Sequence, residues 1–123
     1  MPEQPKQPGR CVSYLGPKGS YSSLAAKALA PEARELPCGS FYAAADALER
    51  GVADCAVLPV ENTLQGAVTQ NLDLLYASPD LFAVREYLLK IEHRRIAREG
   101  TKLSDIRRVL SHEQAIFQCG KFI

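Results

Sequence analysis

An apolar run from Cys55 to Val60 stops abruptly at a carboxylate, an amide and a hydroxyl: Glu61, Asn62 and Thr63. Nothing else in the 123-residue chain restricts its fold so tightly. A run of that length reads as a strand buried on both faces, the habit of parallel sheets. Polar groups at its carboxyl end fall where open α/β sheets place their ligand crevice. Gly66 then opens a helical pattern on Val68, Leu72 and Leu75 that dies at Pro79, so the polar triplet is expected in a strand-to-helix loop.

The same grammar runs upstream. Cys11 to Leu15 is a short apolar strand closed by Gly16-Pro17-Lys18-Gly19-Ser20. Leu24, Ala25, Ala28 and Leu29 follow at helical spacing until Pro31. Glu35 to Cys38 reads as a second strand, and Ser40 as the N-cap of a helix on Phe41, Ala44, Ala45 and Leu48. Gly51 ends that helix in the left-handed conformation glycine tolerates. Strand and helix in strict alternation predict an α/β fold with a mostly parallel sheet.

After Pro79 the pattern changes. Tyr87, Leu89, Ile91 and His93 alternate with Glu86, Lys90 and Glu92, broken only by Leu88. That predicts a half-exposed strand where the chain leaves one lobe and enters another. Gly100-Thr101-Lys102 is a turn, Leu103 to Ile106 one helical turn, and Val109-Leu110 a brief strand. Ser111-His112-Glu113-Gln114 matches a capping box, followed by an apolar face of Ala115, Ile116, Cys119 and Ile123. The expected organisation is a disordered lead-in over 1–10, a first α/β lobe over 11–87, and the start of a second over 88–123.

Composition excludes several function classes. A formal net charge of +1 provides no global field for nucleic acid or an acidic membrane. The basic stretch holding Arg94, Arg95, Arg98, Lys102, Arg107 and Arg108 is interrupted by Glu92, Glu99 and Asp105, and reads as solvated surface. No stretch approaches the roughly eighteen apolar residues of a membrane span. Met1 to Arg10 lacks the apolar segment of a secretory signal. Cys11, Cys38, Cys55 and Cys119 form no Cys-x-x-Cys pair, so reduced thiols in a cytoplasmic protein are expected. His93 and His112 have no second ligand at metal spacing, so no metal is expected.

Gly16 to Ser20, Glu61 to Gly66, and Ser111 to Gln114 share one geometry: strand, small or polar loop, helix N-terminus. Free N–H groups and the helix dipole make each a seat for an anion. Together they would suit a small molecule with more than one carboxylate. Taken alone, Ser20 and Ser111 read first as plain helix caps. Gly16 to Ser20 carries no nucleotide-binding fingerprint. His112, inside one of these loops, can donate to a carboxylate or move a proton, whereas His93 reads as a strand histidine with a structural hydrogen bond.

These segments resemble prephenate dehydratase. The matching pieces are Tyr14-Leu15-Gly16-Pro17-Lys18-Gly19-Ser20-Tyr21-Ser22, Phe41, and Ala53-Asp54-Cys55-Ala56-Val57-Leu58-Pro59-Val60-Glu61-Asn62-Thr63. They continue with Gly66-Ala67-Val68, Leu72-Asp73-Leu74-Leu75, Ile91-Glu92-His93, and Ser111-His112-Glu113-Gln114-Ala115 followed by Gln118-Cys119. Ser20 stands where the family usually has Thr, Thr63 where it has Ser, and Glu113 where it has Pro.

The resemblance implies a two-lobed fold like the type II periplasmic binding proteins, with a cleft between the lobes and the second lobe incomplete in this chain. It implies decarboxylating dehydration of prephenate to phenylpyruvate in phenylalanine biosynthesis, a lyase reaction needing no cofactor. It implies substrate binding by Ser20, Asn62, Thr63, Ser111, His112 and Gln114, with Asn62 and Ser111 facing one cleft. Gly16, Pro17, Gly19, Glu61 and Gly66 would order the loops, and Glu61 would stay off a dianionic substrate. The family's Thr-Arg-Phe motif and regulatory domain lie beyond Ile123. The 123 residues alone are therefore expected not to turn prephenate over, with His112 the one catalytic candidate among them. A homo-oligomer is expected as well. The competing reading is a non-catalytic small-carboxylate-binding module of the same fold.

Overall fold

A computed structural model describes residues 10–62 and 66–121 of the chain. It divides into two compact units, with the boundary between Leu89 and Lys90. The first is an α/β unit built in the order β1 (Cys11–Leu15), α1 (Tyr21–Leu29), β2 (Arg34–Cys38), α2 (Phe41–Glu49), β3 (Cys55–Val57), β4 (Glu61–Asn62), β5 (Gly66–Ala67) and α3 (Thr69–Ala77).

Three strands form a parallel sheet in the order β2-β1-β3, with Val12 opposite both Glu35 and Cys55. The central strand is the most buried one, as a strand covered on both faces must be. Val12 and Tyr14 pack with Ala26 of α1 on one face, and Cys11 packs with Ala47 of α2 and Ala53 on the other. Right-handed crossovers that leave β1 first to one side and then return past it put successive helices on opposite faces. The alternation of side chains along β1 meets both.

The helices form where local chemistry asks for them. Ser40 accepts from the Ala43 N–H at 3.0 Å and caps α2. Gly51, at φ +74°, closes it: its N–H reaches the Leu48 carbonyl and that of Val52 the Ala47 carbonyl, the two bonds of a Schellman ending. The buried side of α1 differs from the expected one. Ser23 and Ala26 lie against the sheet, while Leu24 is 49% exposed. Small side chains let the helix settle close to β1, and Leu24 is turned outward. In α3 the same rotation buries Asn71 and exposes Leu72.

Two further expectations fail in the first unit. The strand from Cys55 ends at Val57 and is only partly buried. It pairs with β1 alone, as far as Tyr14, and Pro59 has no N–H to continue a ladder. Glu61, Asn62 and Gly66 do not form a plain loop into a helix. They belong to a small antiparallel pair, Glu61 opposite Ala67 and Asn62 opposite Gly66, and α3 starts later, at Thr69.

The described residues of the second unit contain a 3₁₀ turn at Leu103–Asp105, closed by the Lys102 N–H donating to Asp105 at 3.1 Å, and α4 (Glu113–Gln118). The strands expected at Glu86 to His93 and Val109-Leu110 are absent. Leu88 and Leu110 are largely exposed. An alternating pattern becomes a strand only beside another strand, and none of the described residues pairs with these segments.

Candidate functional site

Because β2 and β3 flank β1 on opposite sides, the carboxyl ends of β1 and β3 meet at a reversal of strand order, where open α/β sheets bind ligands. Two of the three loops singled out from the sequence leave the sheet at this edge. One is Gly16 to Ser20; the other carries Glu61 and Asn62. The first follows β1 directly, and the second starts beyond Leu58, Pro59 and Val60, past the end of β3.

Gly16 extends the sheet by one bond, its N–H donating to the Cys38 carbonyl at 2.9 Å. A side chain there would meet Pro37 Cβ at 3.0 Å, so the loop turns where only glycine fits without displacement. The Gly16–Pro17 bond is cis, the Ser20 N–H closes the turn on the Pro17 carbonyl at 3.2 Å, and Gly19 adopts φ +88°. Ser20 then caps α1. Its oxygen accepts from the Ser23 N–H at 3.2 Å, while its proton goes to the Leu15 carbonyl at 3.3 Å. The capping alternative is thus realised, and it is compatible with ligand contact. A hydroxyl has two lone pairs and one rotatable proton, and a carboxylate is a stronger acceptor than a carbonyl.

Lys18 brings a positive charge to this loop. Its ammonium lies 3.5 Å from the Glu35 carboxylate; the Lys18 side chain is 70% exposed and that of Glu35 13%. Glu35 also accepts from Ser23 at 3.1 Å and from the fully buried Tyr14 at 3.3 Å. Burial alone would push the Glu35 carboxyl up, but the Ser23 hydrogen bond and the charges of Lys27 and Lys18 outweigh it and hold the group below its ordinary value. Sequence reading missed this cluster, because Glu35 is one polar residue in a short strand and its partners come from three other segments.

On the other loop, the Val68 N–H donates to the Val60 carbonyl at 2.8 Å and continues the β4–β5 pairing toward α3. Asn62 is partly buried on β4, and Glu61 beside it is exposed. Thr63 lies outside the described residues. Behind the pair sits Asn71, fully buried, its Nδ2 donating to the Pro59 carbonyl at 2.7 Å. Nothing in the pattern announces Asn71, since a polar residue near a helix start reads as solvated.

Ser111, His112 and Gln114 belong to the second unit. Ser111 and His112 are exposed, and the Gln114 side chain lies outside what is described. The first bond of α4 runs from the Ile116 N–H to the His112 carbonyl at 3.1 Å. His112, rather than Ser111, therefore occupies the N-cap position, one residue later than the expected capping box. Ile123 of its expected apolar face lies outside the described residues.

Among the described residues, no group of three His, Cys, Asp or Glu side chains is placed to hold a metal ion. Among the described residues, too, no helix is long and apolar enough to cross a membrane. The four cysteines are free thiols, and burial pushes Cys55 above the ordinary thiol range.

The family model for prephenate dehydratase matches residues 12–123. The chain is 44% identical over 108 residues to arogenate dehydratase/prephenate dehydratase 2 of Arabidopsis thaliana, covering 88% of this chain and 28% of that protein. It is 44% identical over 108 residues to arogenate dehydratase 2 of Petunia hybrida, covering 88% and 27%. To the bifunctional chorismate mutase/prephenate dehydratase of Escherichia coli K12 it is 41% identical over 116 residues, covering 91% and 30%. The chain thus spans less than a third of the length of these relatives. No solved structure matches it.

Proposed function

The chain belongs to the prephenate dehydratase family, and from that premise we propose that it supplies substrate-binding loops for the decarboxylating dehydration of prephenate in phenylalanine biosynthesis. The observation that carries this reading is that β1, which runs into the Gly16–Ser20 loop, and β3, which precedes the Glu61–Asn62 strand, are neighbouring parallel strands at the reversal of strand order. In the reaction the ring carboxylate leaves as carbon dioxide, the electrons of the broken C–C bond enter the ring, and the ring hydroxyl departs with a proton as water. Aromatisation drives it, so the protein must seat two carboxylates and help one proton move. Ser20, Asn62 and Thr63 act as donors to the substrate, as do Ser111, His112 and Gln114 of the second unit, while Gly16, Pro17, Gly19, Glu61 and Gly66 shape the loops.

The finer fold in this reading is the two-lobed type II periplasmic-binding-protein-like one, with 11–87 in the first lobe and 88–123 in the second. The strand order β2-β1-β3 supports it. The free thiols suit a reducing compartment such as the cytoplasm, and the protein works as a homo-oligomer.

Calorimetric titration of the chain with prephenate, and with the arogenate named in its plant relatives, tests the proposal. Saturable binding of either, weakened about tenfold or more by Asn62→Ala, is expected, since a lost hydrogen bond to a charged group costs about 1.5–3 kcal/mol. Binding of neither overturns it. Phenylpyruvate formation by a longer protein containing Thr-Arg-Phe separates a dehydratase from a carboxylate-binding module.

A further inference from the structure

Asn71 is the one side chain among the described residues that is fully buried and still has an unmet polar atom: its Oδ1 has no hydrogen-bond partner. A residue there for volume alone would be apolar, because burying an amide is unfavourable unless its hydrogen bonds are worth keeping. The bond it does make is short and long-range. Nδ2 donates to the carbonyl of Pro59 at 2.7 Å, twelve residues earlier in the chain. Pro59 lies past the end of β3, where no ladder holds the backbone, and it precedes the strand bearing Asn62 by one residue, Val60. One step further, the Val68 N–H holds the Val60 carbonyl at 2.8 Å. These two bonds fasten the β4–β5 pair to the start of α3 at its base.

We propose that Asn71 is a positioning residue for Asn62: by clamping the Pro59 carbonyl it sets where β4 emerges from the sheet, and so where Asn62 is held. The consequence for ligand affinity rests on the reading that Asn62 meets the substrate; the clamp itself does not. The donor must be an amide or an equivalent, since a carboxylate at the same depth would repel the carbonyl. A leucine fills similar space and donates nothing.

Two readouts on the chain test this. Amide hydrogen exchange of Asn71→Leu should show the Val68 amide exchanging about tenfold faster or more than in the parent, with Val12 and Tyr14 of β1 within about twofold. Unchanged Val68 exchange in a folded variant overturns the clamp. If the leucine variant loses β1 protection as well, Asn71→Asp decides. Its protonated carboxyl can donate to Pro59 and its carboxylate cannot, so Val68 protection relative to the parent should return as pH falls; protection indifferent to pH overturns the proposal. The second readout is prephenate affinity in a cycle of Asn62→Ala, Asn71→Leu and both. Asn71→Leu should weaken binding about tenfold alone and by less than about twofold once Asn62 is alanine. Equal losses in both backgrounds overturn the coupling to Asn62. A parent that binds no prephenate defeats the functional reading and leaves the exchange result to decide the clamp.

Discussion

The wholly buried hydroxyl of Ser13 donates to the carbonyl of Ala44 at 2.7 Å, fastening α2 to the middle of the central strand. Ser13 sits between Val12 and Tyr14, whose side chains face α1, so the strand alternation turns it toward α2. Ala44 is itself fully buried, and its small side chain lets the helix backbone come within hydrogen-bonding reach of the strand. The contact ties α2, the crossover between β2 and β3, to the central strand that both of them flank.

Ser13→Ala is expected to lower stability by about 1 kcal/mol, the net worth of one such hydrogen bond. Ser13→Val is expected to cost more, because added methyls must displace α2, and overpacking typically costs about 1–3 kcal/mol. Thermal unfolding measures both, at roughly 4–8 °C per kcal/mol for a unit of this size. A valine variant as stable as the parent would show that α2 is not held this closely.

Gly16→Ala should strain the first loop. The added Cβ would stand 3.0 Å from Pro37 Cβ and 3.4 Å from the Cys38 carbonyl that the Gly16 N–H already engages. Both neighbours belong to the β2 end and have little freedom to move. A loss of about 1–3 kcal/mol in urea unfolding is expected, together with weaker prephenate binding, since Ser20 is carried by the displaced loop. Unchanged stability and affinity would remove Gly16 from the residues that order the site.

Glu35 makes stability depend on acid. Its folded carboxyl is held below its ordinary value of 4.5 by the Ser23 hydrogen bond and by Lys27 and Lys18, burial notwithstanding. The unfolded chain therefore takes up the proton first. The stabilisation is complete above the unfolded value and is lost as pH falls through the folded one. Urea midpoints between neutral pH and about pH 3 should fall less in Glu35→Gln than in the parent. Parallel pH profiles for the two would show that Glu35 is not the group responsible.

Features set by contacts within one turn of chain are legible from residues alone. Ser40 as a cap and Gly51 at positive φ need only their immediate neighbours, and both stand where the spacing puts them. The parallel α/β character is legible for a related reason, since each strand and helix pattern is short and the two alternate along the chain. What depends on a distant partner is not. Whether Leu24 or Ser23 faces the sheet is decided by how closely α1 approaches β1. The alternation from Glu86 to His93 says that a strand would suit the segment, but only a neighbouring strand could make it one. Within the site, Gly16 and Ser20 are readable because a strand must end in a turn and a helix in a cap. Glu35 and Asn71 are not, because their partners lie in other segments.

Ser20 allows cap and ligand contact to be measured apart. Its oxygen satisfies the Ser23 N–H and its proton rests on the Leu15 carbonyl at 3.3 Å, a long bond that a carboxylate would outcompete. Ser20→Ala removes both functions, so it should lose about 1 kcal/mol of stability and about tenfold in prephenate affinity. Ser20→Thr keeps the hydroxyl and should preserve both. Ser20→Gly is the informative variant: glycine at an N-cap costs only a few tenths of a kcal/mol relative to serine, yet it has no proton to give. Its affinity should therefore fall as far as that of alanine while its melting temperature stays closer to the parent's. Affinity that follows stability across the three variants would mean that Ser20 only caps α1, and that the anion is seated by other groups.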